Sequence, residues 1–535
     1  MPIPRLKQIR LASIVLCATF LGIPQDFAKP LAASSGKSRE ADASGAKDRS
    51  RVTSISVAGS QPAGTFGTAA YRRTWGTVSG FVAPGENVLG FDALPHDADG
   101  NYDYQTEFEI IAPEMPGMNS AIVVEAENRG VPVFLNALHE VARTGPPSAT
   151  TGGGDSGNGF LFAHATSYAR VQWQTGIAAS VPMQAEGVGE VIIRDFGRML
   201  AGRAQLDAKP SVDFGTYSTL ILGGVSLSGF FIDTFLAEGF NADPGNGGVV
   251  FQGAIAVDGT GNWLALNELA AEADSKEFPY VVPNGRPLPA SKILGGHASD
   301  PFYIDIANYT DFYRLRASLT DVDTKNPRIR RYDWPSAHAP APIDQSGGSA
   351  RGGRCNGGVM VDLNPIPHGA YLRAVTLELE RELEVPTARQ APRLPPTTLF
   401  ALTPASGSMP GFNALPGVRL SVPVIDENAQ PIGGVRFPDV EHPVGRAVPV
   451  SVAPVVTTSI DATCGNLGGW QQFSEEELTK RYGSQANYVK LYGESLDRLI
   501  GQGFVLASDR EELLKVAAAM YSRRPAHTSA MIGSR

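Results

Sequence analysis

Cysteine is nearly absent, with three in 535 residues. One of them, Cys17, falls in an N-terminal segment that reads as removed, leaving Cys355 and Cys464. A disulfide framework is therefore excluded and at most one bridge is open, between these two. Neither cysteine has a His or Cys at ligand spacing, so no metal is expected. Blocks of basic residues are absent too: 45 Lys and Arg face 54 Asp and Glu, for a formal net charge of -9. Nucleic acid or an anionic membrane would need an electrostatic attraction that this chain lacks. Beyond the N-terminus no apolar run approaches the ~20 residues of a membrane span, and no internal repeat is found. Histidine is scarce, at eight, which shortens any search for a catalytic base.

What is present begins with Arg5, Lys7 and Arg10 before the apolar run "LASIVLCATFLGI", followed by the small residues of "FAKPLAASSG". This pattern predicts a secretory signal over 1–33 and a secreted or periplasmic mature protein. Leu16 is too large to precede a lipidated Cys17. Residues 34–60, rich in Ser, Ala, Gly and charge, read as a disordered leader.

After the leader, "GTVSGFVAPGENVLGF" and "YDYQTEFEII" predict a β-rich N-terminal part. Wholly apolar strands then alternate with helical spacings: "SAIVVEA", "EVIIRDFGRMLAG", "YSTLILGG", "GFFIDTFLAEGF", "GGVVFQGAIAVDG", "PFYIDIAN", "TDFYRLRASL", "RRYDW" and "AYLRAVTLELERELE". Strands without a polar face belong to a parallel or mixed sheet covered on both sides, so the class is α/β. The core is assigned to 61–384, with an irregular stretch at 260–300 that is open between a lid and a surface insertion. A Pro-rich, then helical, appendage at 385–525 is expected to pack on the core.

"LILGGVSLSGFF" places two serines where an apolar strand meets a helix. A serine becomes nucleophilic when a strained strand-turn-helix elbow exposes it, which needs Gly two positions before and a small residue two positions after. Ser226 has Gly224 before and Ser228 after; Ser228 would have Phe230 in the tight position. Ser226 is the candidate nucleophile and Ser228 the spacer. An acid and a histidine should follow in that order. Asp311, just past the strand "PFYIDIAN", is the first candidate acid, with Asp305 and Asp258 open behind it, and an ordinary helix cap is its plain alternative. Among the histidines, His96, His139 and His164 precede the serine and His297 comes too early. His338, after the last strand, is best placed, ahead of His368, His442 and His527.

"GVSLSGFFIDTFLAEGFN" resembles the elbow of a bacterial α/β-hydrolase domain family that reads G-x-S-Q-S-G-R-F-L. The resemblance continues in order through "EAENRG", "GNGFLFAHATSYARVQWQTGI", "VIIRDFGRML", "ANYTDFYRLRASL", "RRYDWPSAHAP", "NPIPHGAYLRAVTLELER" and "GGVRFPDVEHPVG", from about Thr65 to Asp509. It implies the α/β-hydrolase fold, a mostly parallel sheet with helices on both faces, and a carboxylic ester hydrolase acting on a small-molecule ester without cofactor. Asp311 stands where the family has Glu, and Leu227 and Phe230 replace its Gln and Arg. The expected machinery is Ser226, Asp311 and His338. The oxyanion would be held by the Leu227 N–H and a second N–H from Asn128, Arg129 or Gly130. Trp173, Phe230 and Trp263 are the candidate substrate contacts. Two other readings stay open: a carbohydrate or uronate esterase of the same fold, and a binding protein on a decayed hydrolase scaffold.

Overall fold

The computed structural model describes residues 49–140, 156–178, 180–245, 247–264, 287–320, 322, 325–337, 352–355, 359–405, 419–448 and 468–523. Its centre is a nine-stranded sheet in the order β1-β2-β3-β5-β4-β6-β7-β8-β9. The strands are β1 (Arg51–Phe66), β2 (Ala69–Val82), β3 (Tyr102–Pro113), β4 (Ala121–Ala126), β5 (Thr166–Val171), β6 (Thr219–Val225), β7 (Gly253–Val257), β8 (Phe302–Asn308) and β9 (Ile329–Trp334). From β1 to β5 neighbouring pairs are antiparallel; from β5 through β4, β6, β7 and β8 to β9 they are parallel.

The parallel strands are apolar throughout because both faces are covered. Side chains alternate across a strand, so β6 sends Ile221 and Val225 into one core and Leu220 and Leu222 into the other. The second core is closed by α2 (Val188–Leu200) and α3 (Leu227–Ala237), through Val191, Ile192, Phe231 and Phe235. The first is closed by α1 (Val133–His139) and α4 (Gly369–Glu382), through Phe134, Leu138, Leu372 and Leu379. Helix α2 is buried all round, and most of its charges pair: Arg194 with Glu86 at 2.7 Å and Asp195 at 3.0 Å, Arg198 with Asp243 at 3.0 Å; burial lifts the remaining carboxyl, Glu190, to about 8.

The C-terminal part adds a four-stranded sheet in the order β10-β11-β15-β14. Its members are β10 (Gly352–Cys355), β11 (Val359–Leu363), β14 (Gly445–Val448) and β15 (Gly469–Gln472); β12 (Leu402–Pro404) and β13 (Ser421–Pro423) pair separately. Helices α5 (Glu475–Tyr482), α6 (Gln485–Gln502) and α7 (Arg510–Ser522) follow. Leu478, Tyr492, Leu496 and Val516 join the same apolar cluster as α1 and α4, so this part shares a core with the main sheet. Among the described residues no helix is long and apolar enough to cross a membrane.

Two expectations are corrected. Residues 51–60, assigned to a disordered leader, are the first part of β1 and pair with β2 from Arg51↔Phe81 onward; the ladder hydrogen bonds outweigh a Ser- and Gly-rich composition. The helix expected over "TDFYRLRASL" is one turn, Asp311–Arg314, followed by a 3-10 turn, Ala317–Leu319. Arg316 at φ 58 breaks the helix between them. Residues 1–48, His338, His527, Cys464 and most of the 260–300 stretch lie outside the described residues.

Candidate active site

Ser226 is the single residue between β6 and α3, with φ 62 and ψ -121. A β-carbon residue pays for that conformation in local strain, and it turns the side chain out at the C-terminal edge of the sheet. The fold tolerates it because the neighbours are small. A Cβ on Gly224 would stand 2.7 Å from the Ser228 carbonyl oxygen, and one on Gly229 would stand 2.8 Å from both Gly259 N and Val257 O. The Ser226 N–H donates to Val257 O at 2.9 Å, which fixes the turn to β7. Ser226 is half-buried, whereas Ser228 is fully buried and its hydroxyl has no hydrogen-bond partner among the described residues. The two serines are thus distinguished: Ser228 fills the tight place where helix and strand cross.

On one side of the elbow lies the loop after β4. Asn128 Nδ2 donates to Val225 O at 3.0 Å, tying this loop to the residue before Ser226. The Asn128 N–H donates to Val131 O at 2.9 Å and the Arg129 N–H to Gln174 Oε1 at 3.0 Å, so neither backbone donor faces outward. Gly130 N–H and Leu227 N–H have no partner among the described residues. Two N–H groups remain for an oxyanion, the second reinforced by the positive end of α3. Beneath the loop, Glu127 Oε2 pairs with Arg170 Nη1 at 2.7 Å, and Glu127 O accepts from Trp173 Nε1 at 2.9 Å.

On the other side Asp311, fully buried, follows β8. Its Oδ2 accepts from Asn308 N, three residues behind, at 2.8 Å, a bond that ties it back to the end of β8. Asp305 belongs to a structural ion pair, 3.1 Å from Arg331 Nη1, and burial lifts its carboxyl to about 6. Asp258 follows β7 at φ 60, and its Oδ1 accepts from Asn308 Nδ2 at 2.5 Å. Asn308 escaped notice in the sequence; an Asn at a strand end carries no signal until its two partners are known. The loop after β9 runs beside the one after β8: Tyr309 N–H donates to Ser336 O at 2.9 Å, and Thr310 and Ala337 converge on Gly468. Residue 338 follows directly.

Of the expected substrate contacts Phe230 stays at the elbow, itself buried at 6% exposed. It forms an apolar cluster with Leu315 and Leu420, against which Leu227, Leu264 and Leu319 pack. Trp173 and Trp263 are corrected to core residues, 4% and 1% exposed; Trp173 packs on Phe231 with ring centroids 4.1 Å apart. His139 is likewise structural. Its Nδ1 bonds Ser156 O at 2.9 Å, Leu161 N donates to Nε2 at 3.1 Å, and burial pushes the imidazole down to about 4.

A serine on a strand-to-helix turn, at the carboxyl edge of a mostly parallel sheet with helices on both faces, defines an α/β hydrolase. The chain belongs to the family described as alpha/beta hydrolase domain, whose model matches residues 161–515. No curated protein matches it. Among solved structures, a glucuronoyl esterase from Solibacter usitatus shares 13% identity at a TM-score of 0.26, covering 50% of this chain and 70% of that one. An esterase B from Lactobacillus rhamnosis shares 12% at 0.26 over 46% and 75% of the two chains. Esterase Est22 shares 15% at 0.26 over 45% and 70%.

Proposed function

We propose that this protein is an exported serine hydrolase that cleaves carboxylic esters through an acyl-enzyme on Ser226. The observation that carries the proposal is the Ser226 backbone at φ 62 and ψ -121, beside the unengaged N–H groups of Gly130 and Leu227. In this reading Ser226 Oγ attacks the ester carbonyl as its proton passes to His338, which then protonates the leaving alkoxide. Water, activated the same way, releases the acid. Asp311 orients the imidazole and stabilises its charged form. Support for His338 comes from the bond between Tyr309 and Ser336, which sets the approach to both residues side by side.

The apolar cluster around Phe230 supports an ester with an apolar group next to the carbonyl. A uronate ester would need donors for its ring hydroxyls, and Arg129, exposed on the loop tied to Val225, is the group that favours that second reading.

The test is labelling of the mature protein by a fluorophosphonate, with the modified peptide mapped. Label on Ser226 that survives Ser228→Ala and His368→Ala but is lost or strongly slowed in Ser226→Ala and His338→Ala is expected. A folded wild-type protein that takes no label would return the scaffold to a binding role. Turnover of short alkyl esters set against methyl uronates, with and without Arg129→Ala, separates the two substrate readings.

A further inference from the structure

β7 and β8 are parallel neighbours in the register Val257↔Ile306, and the Asp258 N–H extends that ladder by donating to Ile306 O at 2.8 Å. This pairing delivers two aspartates, 53 positions apart in the chain, into one dry place at the sheet edge. Asp258 and Asp311 are each fully buried. Asn308 clamps both, its backbone N–H on Asp311 Oδ2 at 2.8 Å and its side-chain amide on Asp258 Oδ1 at 2.5 Å. The two carboxyl groups also lie within hydrogen-bonding reach of each other.

Two carboxylates in contact away from water cannot both be ionised, so one of them keeps a proton. Asp311 receives a backbone N–H and Asp258 a side-chain amide, both from Asn308. Asp258 faces the carboxyls of Asp311 and Asp305, and Arg331 beside Asp305 also pairs with Asp333, at 3.1 and 3.0 Å respectively. Burial and then the charge of Asp311 push the Asp258 carboxyl well above the ordinary aspartate range.

We propose that Asp258 is a positioning residue of the reaction: a neutral carboxylic acid that donates a hydrogen bond to the Asp311 carboxylate. The inference rests on the reading of Asp311 as the acid of the triad. With Asn308 N–H on Oδ2 and the Asp258 proton as a second donor, Asp311 is held in one orientation and presents a defined lone pair to the imidazole. This arrangement compensates for the shorter reach of Asp where the resembling family carries Glu: a carboxylate one methylene shorter gains from being aimed.

The experiment compares Asp258→Asn, Asp258→Ala and Asp311→Asn in kcat, KM and pH profile, and adds infrared difference spectra of the wild type against Asp258→Asn. The expected spectrum holds a protonated-carboxyl carbonyl band at neutral pH that the Asn variant lacks. Asp258→Ala, without a donor, is expected to lose about ten-fold in kcat with KM unchanged and to move the acid limb of kcat. Asp258→Asn, whose amide donates in the same place, is expected to recover most of that loss, with an acid limb close to the wild type's. The proposal is overturned if the band is absent, if Asp258→Ala leaves kcat and its acid limb in place, or if Asn is as damaging as Ala, which would make Asp258 itself the ionised acid. The spectrum reads the proton without turnover, so a poorly folding Ala variant does not remove the test. Full activity in Asp311→Asn would instead sink the triad reading, whatever the spectrum shows.

Discussion

Serine 226 and its spacer show how much a single backbone conformation demands of its neighbours. Gly229 has no room for a methyl group: both atoms it would strike, Gly259 N and Val257 O, are backbone and cannot swing aside. Gly229→Ala is therefore expected to cost about 2 kcal/mol or more, read as a lower urea midpoint, and to slow labelling of Ser226 as the elbow shifts. Ser228→Ala is the opposite case. It removes a buried hydroxyl that bonds nothing, so stability should hold or rise, because the unpaired polar group goes with it. If Ser228→Ala abolished labelling while leaving the fold intact, the assignment of the two serines would be reversed. The elbow was legible in the sequence because its signature is steric and local. The roles of Asn128 and Arg129 were not, since which backbone donors stay outward depends on Val131 and Gln174.

At the scale of the element, helix α4 illustrates a cost that amphipathic spacing hides. Leu372, Val375 and Leu379 make the apolar face expected of a covering helix. The same helix, however, also buries Glu380 against β5, where it accepts from Thr166 Oγ1 at 2.7 Å. Burial lifts this carboxyl from 4.5 to about 8. A raised folded-state value means that the native protein holds a proton which the unfolded chain has released. The associated stability is full below pH 4.5 and is lost as pH rises toward 8. Glu380→Gln should thus change little at pH 4, yet stabilise by up to about 5 kcal/mol above pH 8. Denaturation curves for both proteins at the two pH values check this, and a constant difference would show that Glu380 is not held neutral. The one-turn helix at Asp311 is the complementary lesson. Its composition suits a longer helix, and only the positive φ of Arg316 ends it.

The whole molecule combines nine strands, two helical layers and a C-terminal part that enters the same core as α1 and α4. Such sharing predicts that the C-terminal part does not unfold on its own: heating should give one main transition, and truncation before Glu475 should take Leu478, Tyr492 and Leu496 out of the shared cluster, uncover its remaining apolar residues and yield aggregating protein. Export is tested at this scale as well. N-terminal sequencing of protein recovered from outside the cytoplasm is expected to begin after the apolar run, within or just past "FAKPLAASSG". An intact Met1 on the recovered, active protein would remove the signal from the account.

The α/β class and the serine elbow were determined by the sequence alone, and for the same reason: both follow from short-range constraints. A strand buried on two faces must be apolar at every position, and a strained turn must be flanked by small residues. Tertiary structure alone decided what two distant segments do when they meet. Trp173 and Trp263 read as substrate contacts until the sheet assigned them to a core face. Asp258 and Asp311 read as rival acids until the pairing of β7 with β8 brought them together under Asn308. Periodicity along a chain reports which side of an element is buried, whereas the charge state of a carboxyl depends on what faces it across several ångströms from another strand.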